Sequence, residues 1–483
     1  MVPRMRTFGA LLLAFATLPA SAAETKKPKP APAAKSDSGG APSLPVSTFT
    51  LKNGLTVVVS EDHTAPIVAV ELWYHVGSKD EPKGRSGFAH LFEHMMFKGS
   101  AHVADGEHFK KISEAGGTNN ASTNPDRTNY HEVLPSNFLA RALWLESDRM
   151  GFLLDTLTLE KLDNQRDVVR NERRQNYENR PYGMAYKAIA EALYPEDHPY
   201  HHLTIGDHAD LEKASLDDVK QFFRDWYTPS NASLVVVGDT TVAEVKKLAE
   251  TYFEPLPSHP PLPGPTAQAV KLDAEKRLAL TDKVSLERVY LVWPSPANYA
   301  PGDAELDLLG TILSSRTGRL YEKLVHSMQV AQSVQAEQGG SRLAGEFEII
   351  ATARPGHTAA ELEKLIDEEI KKLIGDAPVT QAELDRARNG WEARFVYSLE
   401  DARARSTRIN DYLYNTGKAD GIATDFARYR NATVDGVMKA ARSVLGPGRV
   451  VLAITPAPKA AKTAAPAAPA PAAPAAKTSG GAK

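Results

Sequence analysis

The chain has 483 residues, 42% of them hydrophobic and 24% charged, with a formal net charge of −3. That length exceeds the roughly 250–300 residues one core supports, and the composition is globular rather than disordered or fibrous. No cysteine occurs, which excludes disulfides, thiolate metal ligands and a lipid-bearing N-terminal cysteine. The charge is unevenly spread: Arg4, Arg6, the lysines at 26, 27, 29 and 35 and those beyond Thr455 leave the middle of the chain acidic. An acidic body argues against nucleic acid as a partner and mildly favours neutral or basic substrates, although it serves solubility equally well.

Residues 1–22 read as a secretory signal, with Arg4 and Arg6, an apolar run from Phe8 to Leu18, and Ala20-Ser21-Ala22 as a cleavage site. The run is too short to span a bilayer and no other stretch is long enough, so an exported, most simply periplasmic, protein without a membrane span is expected. Residues 23–46 are rich in Lys, Pro, Ala, Ser and Gly and read as a disordered leader. Phe49, Leu51, the turn Lys52-Asn53-Gly54 and Leu55 to Val59 read as a hairpin, and Ile67 to His75 as a strand alternating at Val68, Val70, Leu72 and Tyr74.

A loop from Gly77 to Gly87 leads into a helix inside Arg85–Gly99. At 3.6 residues per turn, His90, Glu93, His94 and Phe97 share one stripe, while Phe88, Leu91, Phe92, Met95 and Met96 cover most of the rest. A helix this apolar is buried, and buried titratable groups must be paired or bound to a cation. Two imidazoles one turn apart can chelate Zn²⁺, and Glu93 is placed to take a proton from a metal-bound water. The alternative is a core helix whose imidazoles hydrogen-bond locally. His-x-x-Glu-His is the order found in inverzincins.

Phe109 to Ala115 reads as a short helix, then Asn120–Thr123 and Thr128–Val133 as a strand pair, although Asn120 and Ala121 also fit a plain loop. Phe138 to Met150 is an amphipathic helix, and Leu159 to Asn179 another, with an apolar stripe of Leu162, Val168 and Val169 that leads to Glu172 and has Gln165 on the same face. A tetrahedral catalytic zinc wants a third protein ligand and one open position. Glu172 is the best candidate, since a carboxylate on a buried stripe needs a cation, but Arg170, Arg173 or Arg174 could pair with it instead; Glu160 and Glu178 fit the stripe less well. His198, His201 and His202 form a tempting second cluster, but Pro195 and Pro199 break any helix there, so a surface or wall loop is expected. Helices at Leu216–Tyr227 and Val242–Phe253 flank a buried strand, Ala232–Gly238, and close a first α+β domain over 47–254.

Residues 255–267 form a proline-rich linker. A second domain over 268–455 restarts in similar order: strand Val289–Trp293, helices Asp303–Leu313 and Arg319–Ser327, strand Glu346–Ala353, helices Thr358–Ile374, Thr380–Leu413 and Val434–Ser443, and strand Arg449–Ile454. That order, with no His-x-x-Glu-His in the second half, suggests a duplicated fold with its chemistry on one copy. From 456 to 483 the Ala/Pro-rich tail reads as disordered.

His90-Leu-Phe-Glu-His94, Glu172 in Asp167-Val-Val-Arg-Asn-Glu172-Arg-Arg, Lys52-Asn53-Gly54-Leu55, Gly116 to Ala121 and Asn129-Tyr130 together resemble the pitrilysin family. Within it, the chain resembles the mitochondrial-processing-peptidase-like branch of zinc peptidases. The resemblance implies two homologous α/β-sandwich-like domains forming half of a clam-shell chamber. It also implies zinc held by His90, His94 and Glu172, Glu93 as general base, and a peptide added as an extra strand beside Asn120 and Ala121. Gln165 stands where larger relatives carry a second acidic residue. Active members supply an Arg and, seven positions later, a Tyr that clamp substrate; here Val325 and Gln332 stand in those places, and Arg319 and Tyr321 have the wrong spacing. The resemblance therefore implies the zinc-bearing half of a heterodimer whose homologous partner brings Arg and Tyr, with a homodimer less favoured. The other readings are a non-catalytic peptide-binding or assembly subunit and, more weakly, zinc storage.

Overall fold

A computed structural model of the chain describes residues 40–266 and 269–458. The signal, most of the leader and nearly all of the tail lie outside the described residues. β1 (Ser47–Thr50) and β2 (Thr56–Glu61) make the expected hairpin, with Phe49 opposite Val57. Its turn requires Gly54, at φ +93°, where a side chain would also meet Ser230. β3 (Ile67–Tyr74), β4 (Thr118–Thr123), β5 (Thr128–Pro135) and β6 (Ala232–Gly238) complete a six-stranded sheet in the order β1-β2-β6-β3-β5-β4. β2 and β6 are parallel, and β3 runs antiparallel to both β6 and β5.

Alternating burial along β3 is not observed: every residue from Val68 to Tyr74 is buried. The reason is that both faces of the sheet are covered, which turns half-buried strands into continuous apolar runs. On one face Val57, Val70 and Leu72 pack with Phe92 of the helix Phe88–Met95, Leu143 of Leu139–Phe152, Val169 of Leu159–Arg173 and Phe222 of Leu216–Trp226. On the other, Val58, Ala69, Val235 and Val237 meet Ala402 and Ile409 of the helix Ala402–Thr416, from the second half of the chain.

The second sheet contains β7 (Lys276–Asp282), β8 (Arg288–Ser295), β9 (Ala331–Gly340), β10 (Gly345–Ala353) and β11 (Val450–Pro456), in the order β7-β11-β8-β10-β9. One face packs on Leu306 and Leu309 of the helix Asp303–Ser314, Leu362 of Ala359–Ile374 and Val437 of Val434–Val444. The other, with Tyr290, Val292 and Leu452, is covered by Ile189 and Leu193 of the helix Ala185–Leu193, from the first half. Residues 257–266 between the halves carry neither helix nor strand.

Other expectations are corrected. The helix expected over Thr380–Leu413 is two, Gln381–Ser398 and Ala402–Thr416, because Asp401 starts a new one by accepting the Ala404 N–H at 2.7 Å. β7, β9 and the helix Ile422–Arg430 were not expected. The segment Arg319–Ser327 is wound as a π-turn over Tyr321–Ser327. Val168 is 42% exposed, and Arg173 instead joins the expected Gln165 on the inner face of their helix. Among the described residues no helix is long and apolar enough to cross a membrane.

Candidate metal centre

The helix Phe88–Met95 opens at Gly87, whose φ of +93° suits glycine and where a Cβ would lie 2.8 Å from the Ile205 carbonyl. Its first N–H groups are met from outside the helix: the Glu81 carboxylate accepts Gly87 N at 2.9 Å and Ala89 N at 2.8 Å, as an anion at a helix N-terminus should. His202 Nε2 lies 2.9 Å from the same carboxylate. Burial opposes a charge on His202, but the hydrogen bond and charge of Glu81 outweigh it and leave the imidazole pKa raised.

On this anchored helix His90 Nε2 and His94 Nε2 are 3.3 Å apart. Glu172 Oε2, from the helix Leu159–Arg173, is 3.2 Å from His94 Nε2 and 3.7 Å from His90 Nε2. A zinc ion at its usual bond lengths from three tetrahedrally arranged N and O donors separates them by about 3.4 Å. The triangle therefore fits the metal. Burial, helped by His94, pulls His90 down to about 4, so its imidazole is neutral and keeps the lone pair a ligand needs. The three arginines that could have claimed Glu172 are engaged elsewhere: Arg170 with Glu212, Arg173 with Glu178 and Asp207, and Arg174 with Asn171. Asn176 donates to the other Glu172 oxygen at 3.2 Å.

Glu93 projects from the same helix into a cavity of about 700 Å³ that His90 and Glu172 also line. Burial pushes its carboxyl up, and the Thr123 hydroxyl, which donates to Oε2 at 2.7 Å, pulls it back. β4 forms the edge of its sheet, and its residues Ala121, Ser122 and Thr123 line the cavity. Asn120 is exposed instead, its Oδ1 turned back to the Ala121 N–H at 2.9 Å. Opposite, the second sheet contributes Glu346 and Glu348 to the wall.

Sequence reasoning had not singled out Thr123, Glu81 or the two wall glutamates. The period of two along β4 gives Thr123 the same face as Ala121, a signal that was available. The other three carry no local signature.

The remaining histidines do not make a second site. His198 Nδ1 accepts the Tyr200 N–H, His201 bonds the Tyr194 carbonyl and His202 serves Glu81, so this segment is a wall loop; Tyr194, Tyr200 and His202 line the cavity. The other cluster with metal-like spacing among the described residues is His108, Glu132 and Glu146. A cation is already there: buried Arg149 lies 3.4 Å from Glu132 and bonds Glu146 through Nε at 2.9 Å. Gln165 is buried and bonds Asn164. Val325 sits in the second core, Gln332 lines a separate hollow with Tyr182, and Arg319 is held by Glu383 at 2.6 Å.

Residues 56–204 match the family model described as Insulinase (Peptidase family M16), and residues 213–390 match Peptidase M16 inactive domain. The chain is 34% identical over 373 residues to the zinc protease PqqE of Helicobacter pylori, covering 76% of this chain and 83% of that one. It is 24% identical over 400 residues to a probable mitochondrial-processing peptidase subunit beta of Arabidopsis thaliana, covering 78% of this chain and 72% of the relative. Among solved structures, a protease from Helicobacter pylori superposes with a TM-score of 0.81 at 30% identity, over 86% of this chain and all of that one.

Proposed function

The chain belongs to peptidase family M16, and on that premise we propose that it is a zinc-dependent endopeptidase that cleaves short or unfolded peptides inside a chamber it half encloses. The observation that carries this reading is the triangle of His90, His94 and Glu172 donors, with edges of 3.2, 3.3 and 3.7 Å, beside a carboxylate that faces the same cavity.

His90 Nε2, His94 Nε2 and Glu172 Oε2 would hold the metal. Bound there, Zn²⁺ supplies Lewis acidity toward a carbonyl oxygen and makes a water molecule easier to deprotonate. Glu93 takes the proton of the attacking water on its carboxylate and returns it to the leaving amine. The edge of β4 at Asn120 and Ala121 pairs with no further strand, and an extended peptide that displaces Asn120 Oδ1 from the Ala121 N–H gains main-chain hydrogen bonds that tolerate many side chains. The cavity wall of Tyr177, Tyr194 and Tyr200 supplies broad apolar faces beside it.

In this proposal the chain works as the zinc-bearing half of a heterodimer, in the periplasm. Val325 in the core and Gln332 outside the cavity support a partner that brings an Arg and a Tyr, and one relative is by name a subunit. Export rests on residues 1–22, outside the described residues. The second reading, a non-catalytic peptide-binding subunit, is favoured by the match of residues 213–390 to an inactive-domain model.

Zinc content and peptide hydrolysis, measured with and without the homologous partner, test both readings. A zinc-loaded chain that cleaves peptides only with its partner supports the heterodimeric enzyme, and full-rate cleavage by the single chain removes the partner requirement. A chain that binds peptide but neither zinc nor a scissile bond establishes the second reading.

A further inference from the structure

The strand that borders the cavity also touches the proposed base. Thr123, the last residue of β4, donates its hydroxyl to Glu93 Oε2 at 2.7 Å. That hydroxyl has one hydrogen to give. Its other neighbour, Thr128 Oγ1, is 3.5 Å away and donates in turn to the Val76 carbonyl at 3.0 Å, so the shorter contact to the carboxylate takes the hydrogen. Among the described residues Thr123 is the one hydrogen-bond donor to that carboxylate. A glutamate on a helix has three rotatable bonds, and the terminal one has broad wells, so the helix alone does not orient the carboxylate plane.

Thr123 is itself held firmly. It pairs with Thr128 in the β4–β5 ladder. One residue back, Arg127 Nη1 donates to the Ser122 carbonyl at 2.7 Å and to Ser122 Oγ at 2.8 Å, and Ser122 Oγ donates to Asn129 at 2.6 Å. The Arg127 guanidinium lies over the Trp73 ring, 5.1 Å from its centroid. The Thr123 end of β4 is thus clamped, while on its outer edge the Ala121 N–H is covered by the neighbouring Asn120 side chain, which an incoming peptide would displace.

We propose that Thr123 is a positioning residue for the peptidase reaction, its hydroxyl fixing the Glu93 carboxylate relative to the strand along which the peptide is aligned. This rests on the peptidase reading above. One strand then sets the position of both the scissile bond and the base, so losing the hydroxyl weakens the chemical step and leaves peptide binding alone.

The test uses the zinc-loaded chain in its active assembly, with Thr123→Val, Thr123→Ser and Glu93→Gln. Valine keeps the β-branched shape and strand preference of threonine but has no donor, whereas serine keeps the donor. Thr123→Val is expected to lower kcat about 10–100-fold, the range typical of groups that orient a metal-site residue, with KM, zinc content and thermal unfolding unchanged. Thr123→Ser is expected to recover most of that loss. Unchanged kcat in Thr123→Val while Glu93→Gln is inactive overturns the positioning role alone, as does an equal loss in the Ser and Val variants, which would trace the effect to packing. Turnover by Glu93→Gln at the wild-type rate overturns the peptidase mechanism itself.

Discussion

The two sheets can be laid strand upon strand. β2, β6, β3, β5 and β4 in the first correspond to β7, β11, β8, β10 and β9 in the second, and the one parallel pair falls in the same place, β2 with β6 and β7 with β11. Between β3 and β4 lies the helix Phe88–Met95; between β8 and β9 lies Asp303–Ser314. Both helices follow a glycine in the left-handed region, Gly87 at φ +93° and Gly302 at +95°. The second helix buries Leu306, Leu308, Leu309, Ile312 and Leu313, while the first buries His90 among its apolar residues and leaves Glu93 and His94 half-buried, with His90 and Glu93 lining the cavity. The architecture therefore requires an apolar helix at this place and does not require imidazoles. The metal-binding residues are an addition that one half carries and the other omits, and each half is closed by a helix from its counterpart, Ala402–Thr416 over the first sheet and Ala185–Leu193 over the second.

If the chemistry is an addition to the first half, removing it should erase activity and spare the fold. Glu93→Gln is expected to lower kcat by about 10²–10⁴-fold, the usual worth of a general base, with zinc retained. His94→Ala should lose both metal and turnover. Both variants should unfold cooperatively, as measured by circular dichroism, and near-normal turnover by Glu93→Gln would break the assignment of the base.

The exchanged helices predict shared stability. Ile409 is fully buried against the first sheet and Leu309 in the second core. Ile409→Ala and Leu309→Ala should each cost about 2–5 kcal/mol, the range for a truncated core aliphatic. Because each half is covered by the other, urea unfolding of both variants should follow one transition. Two separated transitions, one moved by each substitution, would show halves that fold independently. A smaller, one-sided effect comes from the metal: zinc at about 100 times its Kd should add about 2.7 kcal/mol in the wild type and nothing in Glu172→Ala, read as the shift in Tm on adding a chelator.

What could be read in the sequence follows from how local each signal is. His90, Glu93 and His94 declare themselves because three reactive residue types recur at helical spacing in an apolar helix. Glu172 was half legible: a carboxylate at that place suits a zinc ion or an arginine equally, and only tertiary packing shows Arg170, Arg173 and Arg174 turned to other partners. β7 and β9 escaped because edge strands need bury little; β9 reads Ala-Gln-Ser-Val-Gln-Ala-Glu-Gln, with most of its polar side chains exposed. The break at Asp401 hid inside a long helical pattern, although an aspartate at a helix start is a recognised signal. The exchange of helices between sheets has no local signature, since Ile189 and Ile409 look like any apolar helix residue.

The smallest expected effect separates the two halves by pH. On β10, Glu348 stands directly opposite Glu337 of β9, and Glu346 lies two residues along on the same face. Like charges directly across a strand pair repel. Burial, with the charge of Glu337, pushes Glu346 up to about 7; burial, the hydrogen bond to Glu337 and the nearby acids push Glu348 up to about 8. Both values lie above the roughly 4.3 of a glutamate in the unfolded chain, so between these limits the native state holds protons that the unfolded chain has released. Stability from this pair is full in acid and is lost as pH rises through 7 and 8. Replacing both, Glu346→Gln with Glu348→Gln, should therefore flatten the fall of Tm between about pH 5 and 8, since glutamine stays neutral throughout. The wall loop of the first half gives a control of the same sign at a different place: His202, raised above its ordinary value, contributes below the unfolded imidazole pKa of about 6.5 and loses that contribution as pH rises through its folded value, so His202→Gln should lower Tm more at pH 6 than at pH 8. A Glu346/Glu348 double variant whose Tm still falls as steeply as the wild type would mean that the wall carboxylates do not store protons, and the second sheet would then face the cavity as an anionic surface at neutral pH.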